Sequence, residues 1–90
     1  ILHGAIIQPA SRIDAHTIIN TGAIVEHDCF IGSYSHLAPG AVLCGNVRVG
    51  SFAHVGANAT VVQELTVGDK AVIAAGLRVA RNVAPGETIK

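Results

Sequence analysis

Methionine and tryptophan are absent from this 90-residue sequence, and aromatics make up only 3% of it: Phe30, Phe52 and Tyr34. A core of bulky rings is thereby excluded. Charge is scarce too, at 13%, and six basic residues balance six acidic ones for a formal net charge of zero. That excludes a basic nucleic-acid module and an acidic tail acting through bulk charge. No apolar run approaches the ~20 residues of a membrane span; the longest, Ala71 to Leu77, is interrupted by Gly76. No signal peptide is visible. Cys29 and Cys44 form no disulfide framework and lack metal-ligand spacing. They read as two small thiols of a reducing, cytoplasmic compartment. What remains is a half-apolar chain of Ala, Val, Ile, Leu and Gly, too apolar for disorder and long enough for one small domain. It opens on Ile1 rather than Met, which suggests a piece of something larger.

Those residues fall into a six-residue repeat. Stepping by six from Ile1 gives Ile7, Ile13, Ile19, Val25, Ile31, Leu37, Leu43, Val49, Val55, Val61, Val67, Ile73 and Val79, without a gap. Two places earlier stand mostly small residues, such as Ala5, Ser11, Ala23, Cys29, Ala41, Ala53, Ala59 and Ala71. Side chains alternate along a strand, so each small residue and its aliphatic partner face inward with one outward residue between them. Three more residues turn a corner, and Gly32, Gly50, Gly56, Gly68 and Gly86, just after the aliphatic or close to it, are expected to supply positive φ there. A period of six smears around a helix, so an α reading fails. Three units close a triangle, and the whole reads as an all-β, parallel hexapeptide β-helix of about five triangular coils, on the order of 24 Å tall. The pattern resembles the left-handed parallel β-helix of the hexapeptide-repeat acyltransferase superfamily. Left-handedness is what the resemblance implies, against the usual crossover rule. The helix is expected over residues 1–84. The register fails at Pro85, so residues 85–90 are expected to form an exit turn and a truncated tail.

Sorting residues by place in the coil separates three outward faces. One carries Ile6, Ile24, Val42, Thr60 and Arg78; the next Arg12, Phe30, Arg48 and Thr66; the third Ile18, His36, His54 and Val72. Between the two partly apolar faces runs a corner of small residues: Ala38-Pro39-Gly40, Gly56-Ala57-Asn58 and Ala74-Ala75-Gly76. An apolar wedge ending in a small-residue edge suits a symmetry axis. A homotrimer with that edge inward is expected, in which His27 of one chain meets His36 of the next.

His27 is flanked by Glu26 and Asp28, and a neighbouring carboxylate can orient imidazole as a general base. One coil away lies Gly45, whose N–H is open to a ligand and placed to hold an oxyanion. By spacing alone an ordinary polar corner is the better account of this cluster.

The residues around it change that balance. Asn20 to Cys29, Ile31-Gly32, Ser35 to Ala41 and Gly45 to Gly50 closely resemble the bacterial sialic acid O-acetyltransferases and UDP-amino-sugar N-acetyltransferases. The resemblance implies an acetyl-CoA-dependent acetyltransferase of an amino sugar or nucleotide-activated sugar, with N-acetylation favoured and no acyl-enzyme. It implies His27 as catalytic base, Asp28 as the carboxylate that tunes it, His36 as an acetyl-CoA contact and Gly45 as the amide facing the thioester. Ala57 and Ala75 fall where relatives line the pantetheine channel; at Ala75 relatives often carry Gly. Relatives also place a small nucleotide-sugar domain before the helix, none of which is in this sequence. Arg78, Arg81 and Lys70 read either as a solvated cluster or as partners of CoA phosphates. His54 reads as an interface or packing residue, Cys44 stays open, and His3 and His16 receive no role.

Two other functions share such a fold. A trimeric zinc carbonic anhydrase gathers three imidazoles between subunits, but its pair of His five residues apart is missing here. A non-catalytic trimeric scaffold needs no His27, Asp28 or Gly45.

Overall fold

The computed structural model describes residues 4–90; Ile1 and His3 lie outside the described residues. Fourteen two-residue strands follow one another: β1 (Ile6–Ile7), β2 (Arg12–Ile13), β3 (Ile18–Ile19), β4 (Ile24–Val25), β5 (Phe30–Ile31), β6 (His36–Leu37), β7 (Val42–Leu43), β8 (Arg48–Val49), β9 (His54–Val55), β10 (Thr60–Val61), β11 (Thr66–Val67), β12 (Val72–Ile73), β13 (Arg78–Val79) and β14 (Thr88–Ile89). No helix occurs among the described residues. Each strand from β1 to β10 pairs in parallel with the third strand after it, and β12 pairs with β14, giving three sheets: β1-β4-β7-β10-β13, β2-β5-β8-β11 and β3-β6-β9-β12-β14. The register is eighteen residues per coil, as in Ile24↔Val42 and Ile31↔Val49. The all-β parallel solenoid expected from the hexapeptide period is thus the fold, and its longest dimension is 27 Å.

The core is a set of aliphatic stacks. Ile19, Val25, Ile31, Leu37, Leu43, Val55, Val61, Val67 and Ile73 are wholly buried, with Ala23, Ala41, Ala59 and Ala71 beside them. Each large aliphatic contributes about 1.5–3 kcal/mol by leaving water. Polar residues at the small inward place repeat one device. Ser11 Oγ donates to Glu26 O at 2.7 Å, Thr17 Oγ1 to Gly32 O at 3.0 Å, and buried Ser35 Oγ to Gly50 O. Cys29, buried as expected of a core thiol, directs Sγ at Cys44 O at 3.1 Å. Burial raises its thiol pKa.

The corners correct two expectations. Left-handed φ falls three residues after the aliphatic, at Gly4, Ala10, His16, Gly22, Asp28, Tyr34, Gly40, Asn46, Phe52, Asn58, Glu64, Lys70 and Gly76. Most of these are not Gly, and each one other than Asn or Asp, which tolerate this conformation, costs about 1–2 kcal/mol against its backbone preference. Gly32, Gly50, Gly56 and Gly68 are needed for a different reason. A Cβ on Gly32 would stand 2.7 Å from Ser51 N, and one on Gly56 2.6 Å from Ala75 N. They let one coil lie against the next. Of the glycines expected to supply positive φ, only Gly86 does so, at 74°.

The second correction lies at the end of the chain. Pro85 would occupy the inward place opposite Val67, where a donor N–H is needed. The turn after β13 is two residues shorter instead, and Val83 takes that place in a bridge to Val67. Asn82 Oδ1 accepts from Thr66 N at 2.8 Å, replacing the carbonyl a full-length turn would supply. Ala84 to Glu87 is therefore a further corner, after which β14 pairs with β12 through Val72↔Thr88. Arg81 clamps this corner by donating to Glu87 Oε2 at 2.6 Å, and Ala84 N donates to Glu87 Oε1 at 2.9 Å. The Arg81 guanidinium, helped by the Ala84 amide, lowers the Glu87 carboxyl to about 2.

Candidate active site

The first corner, between the first and second sheets, stacks Pro9-Ala10, His27-Asp28, Gly45-Asn46 and Gln63-Glu64 in successive coils. The second residue of each pair donates its N–H to the coil before: Asp28 N to Pro9 O at 3.2 Å, Asn46 N to His27 O at 3.1 Å and Glu64 N to Gly45 O at 3.0 Å. The first residue's amide makes no backbone hydrogen bond, so the Gly45 N–H is available to a ligand. Ala57 and Ala75, first residues of the third corner, leave their amides free in the same way.

His27 Nδ1 lies 3.0 Å from Asp28 Oδ2. With a carboxylate accepting there, neutral imidazole carries its proton on Nδ1 and its lone pair on Nε2. Left-handed φ at Asp28 (58°) belongs to the turn that sets this pair side by side. The ring extends over Gly45: a Cβ on that residue would sit 2.8 Å from His27 Nε2. A cavity of about 260 Å³ opens at this notch, lined by His27, Gly45, Asn46, Gln63 and Glu64. His27 brings its Nε2 and Gly45 its free amide to this notch, and Asn46, Gln63 and Glu64 complete the lining. Such a notch can remove a proton from a nucleophile and hold a developing oxyanion.

The structure brings His27, Asp28 and Gly45 together and leaves His36, Ala57 and Ala75 elsewhere in the chain. His36 projects from the third sheet, half-buried, and its Nε2 accepts from Asn20 Nδ2 at 3.2 Å. The Asn20 amide is oriented by Thr21 N, which donates to Asn20 Oδ1 at 2.7 Å. The His54 ring stands edge-on to His36, with centroids 5.0 Å apart. Burial, and secondarily His54, hold the His36 pKa below its usual 6.5. Ala57 and Ala75 stack on the third corner, where Gly76 N donates to Ala57 O at 2.8 Å.

Asn20 and Asn46 enter the sequence analysis only within the stretches that carry the resemblance and receive no role there, and Gln63 and Glu64 do not enter it. The last three were within its reach, since 46 and 64 follow Asp28, and 63 follows His27, by whole coils. Arg81 pairs with Glu87 across the last corner. Among the described residues no group of three His, Cys, Asp or Glu gathers as a metal site within the chain.

A family profile, the hexapeptide repeat of succinyl-transferase, matches residues 22–63 and 47–81. No curated protein sequence matches significantly. Among solved structures, the acetyltransferase domain of PglB from Neisseria gonorrhoeae is 35% identical over 94% of this chain and 42% of its own, with a TM-score of 0.93. That domain has also been solved in complex with acetyl coenzyme A. PerB from Caulobacter crescentus, in complex with CoA and GDP-perosamine, is 33% identical over 91% of this chain and 48% of its own, with a TM-score of 0.79. A serine acetyltransferase from Neisseria gonorrhoeae is 26% identical over 97% of this chain and 37% of its own, with a TM-score of 0.90. The present chain thus spans less than half of each of these proteins.

Proposed function

This chain belongs to the hexapeptide-repeat acyltransferase superfamily, with the left-handed β-helix of that family, and on that premise we propose that it is the catalytic helix of an acetyl-CoA-dependent acetyltransferase acting on an amino sugar or nucleotide-activated sugar. The observation that carries the reading is the His27 imidazole held by Asp28 with its Nε2 over the free amide of Gly45. The likeness to proteins solved with acetyl coenzyme A and with a nucleotide-linked sugar supports the substrate classes.

In this reading acetyl-CoA is a substrate whose thioester lies at Gly45. The neutral acceptor amine attacks the carbonyl carbon, and His27 Nε2 takes the proton as the C–N bond forms. Gly45 N–H holds the negative charge on the carbonyl oxygen. Collapse breaks the C–S bond, and imidazolium returns its proton to the leaving thiolate. Asp28 stabilises the imidazolium between these steps. Neither Cys29 nor Cys44 is acylated. N-acetylation is favoured over O-acetylation, and the reaction takes place in the cytoplasm.

The His27 side chain is 60% exposed in the single chain. A base that works through a desolvated transition state needs a second wall. A homotrimer supplies it by packing the third sheet of a neighbour, with His36, against the first sheet. Ala57 and Ala75 of the neighbour, whose amides are free, then line the pantetheine path.

The test is thiol release from acetyl-CoA with a panel of nucleotide-linked amino sugars, GDP-perosamine among them. His27→Ala is expected to lose about 10²–10⁴-fold in kcat while keeping its trimer and thermal midpoint. Undiminished turnover in that variant sinks the mechanism. A stable trimer that binds no acetyl-CoA establishes a scaffold instead.

A further inference from the structure

The notch at the first corner holds a donor that the proposed chemistry does not use. A carbonyl oxygen that takes up negative charge has room for two hydrogen bonds, and the Gly45 N–H supplies only one. The other lining residues are His27, Asn46, Gln63 and Glu64. His27 presents a lone pair at Nε2, because its Nδ1 faces Asp28. A glutamate carboxylate only accepts. The Asn46 N–H is spent on His27 O at 3.1 Å, and Asn46 itself belongs to the column of Asp28 and Glu64, one residue aside from Gly45. Gln63 differs on each count. The pairing of β7 with β10 puts it one whole coil after Gly45, in the same column as His27. Its backbone N–H makes no backbone hydrogen bond, and its side chain is exposed. Among the described residues its carboxamide has no partner within the chain.

Gly45 has no side chain, and the space this leaves is flanked from both directions along the axis of the solenoid. From the coil before, the His27 ring reaches over it, so that a Cβ there would meet Nε2 at 2.8 Å. From the coil after, ~4.8 Å away, comes Gln63. We infer that the Gln63 carboxamide donates Nε2–H to the thioester carbonyl oxygen beside the Gly45 N–H, completing the oxyanion hole from the side opposite His27. The base is then left to the acceptor's nitrogen while two donors hold the oxygen. A neutral amide suits this place. Its dipole strengthens the contact as charge develops, whereas a cation so near would disfavour the imidazolium that His27 must become. The inference rests on the acetyltransferase reading of the His27 notch and adds to it a catalytic residue from the same chain.

The experiment pairs kinetics with a spectrum on the wild type and two variants. Gln63→Met keeps the length of the side chain and removes its donors; Gln63→Glu keeps its shape and turns donors into acceptors. In both, kcat for thiol release should fall about 10²-fold while the acetyl-CoA KM stays within about threefold. The thermal midpoint should not move, since the side chain lies outside the core. Difference infrared spectroscopy of bound, isotope-labelled acetyl-CoA reads the carbonyl itself. Its stretching band should lie at higher frequency in Gln63→Met than in the wild type, because one polarising hydrogen bond is gone. Wild-type kcat in Gln63→Met, or a band that stays in place, overturns the assignment and leaves the enzyme reading standing on His27. A lowered thermal midpoint makes Gln63 a residue of the fold and overturns the assignment as well. A wild-type protein that binds no acetyl-CoA overturns the enzyme reading, and Gln63 falls with it.

Discussion

The first and third corners are built on one backbone conformation and filled in opposite ways. Both turn through a left-handed residue once per coil. On the third corner that residue is Gly or Asn; on the first it is Ala10, Asp28, Asn46 and Glu64, beside His27 and Gln63. The backbone therefore does not decide which corner carries chemistry. One edge was relaxed and kept small, as suits close approach of other chains, while the other holds charged groups in a conformation they disfavour. Even glycine has two meanings in the two places. At Gly56 a Cβ would strike the Ala75 backbone, whereas at Gly45 it would strike only the tip of the His27 ring.

That difference can be broken by one repeated substitution. Gly56→Ala forces two coils apart and should cost about 3 kcal/mol or more of stability, read as a fall in the denaturant midpoint. Gly45→Ala should leave the midpoint nearly unchanged, because the His27 ring can swing aside. It should lower kcat about 10²-fold, since the base is then displaced from the acyl site. Equal loss of stability in both variants would erase the distinction. Asp28→Gly sharpens it further. Relief of the left-handed strain should raise stability by up to about 1 kcal/mol, while kcat falls about tenfold for want of the carboxylate. A stability gain with full activity would leave Asp28 without a role.

The smallest expected effect separates the third sheet from the end of the chain. His36 is held below 6.5 when folded, so the unfolded chain takes up the proton first. Stability from this face is complete above pH 6.5 and declines as pH falls below it. Glu87, lowered to about 2, contributes fully above its ordinary 4.5 and loses that contribution as pH falls toward 2. Thermal midpoints across pH 7 to 2 should fall in two steps. Substituting His36→Asn removes the first and Glu87→Gln the second.

The fold was legible because a strict period of six allows few structures, and the aliphatics from Ile7 to Val79 all fall where it requires. The roles of the glycines were not legible. A close approach between coils and a left-handed turn both select Gly, and the sequence does not say which neighbour stands behind it. The end of the helix was misread for a related reason. Pro85 breaks the period, but the period alone does not reveal that two residues drop out and Val83 takes the inward place, with Asn82 repairing the hydrogen bond. Within the site, His27, Asp28 and Gly45 follow from register. Gln63 and Glu64 follow from the same register carried one coil further. The Asn20–His36 hydrogen bond does not, because it depends on side-chain reach across neighbouring coils. Tyr34 and Phe52, eighteen residues apart, stack on one another as the same register requires, yet their exposure appears only once the corner is built.

The central claim is that each site is shared, with His27 from one chain and His36 from its neighbour. Mixing unfolded His27→Ala and His36→Ala chains and refolding them together tests this directly, with thiol release measured at sub-saturating acetyl-CoA. Each variant alone should be nearly inactive. The mixture should recover about a quarter of wild-type turnover, since that share of interfaces joins an intact His27 to an intact His36. Mixed trimers, verified by mass, that recover no activity would contradict the account.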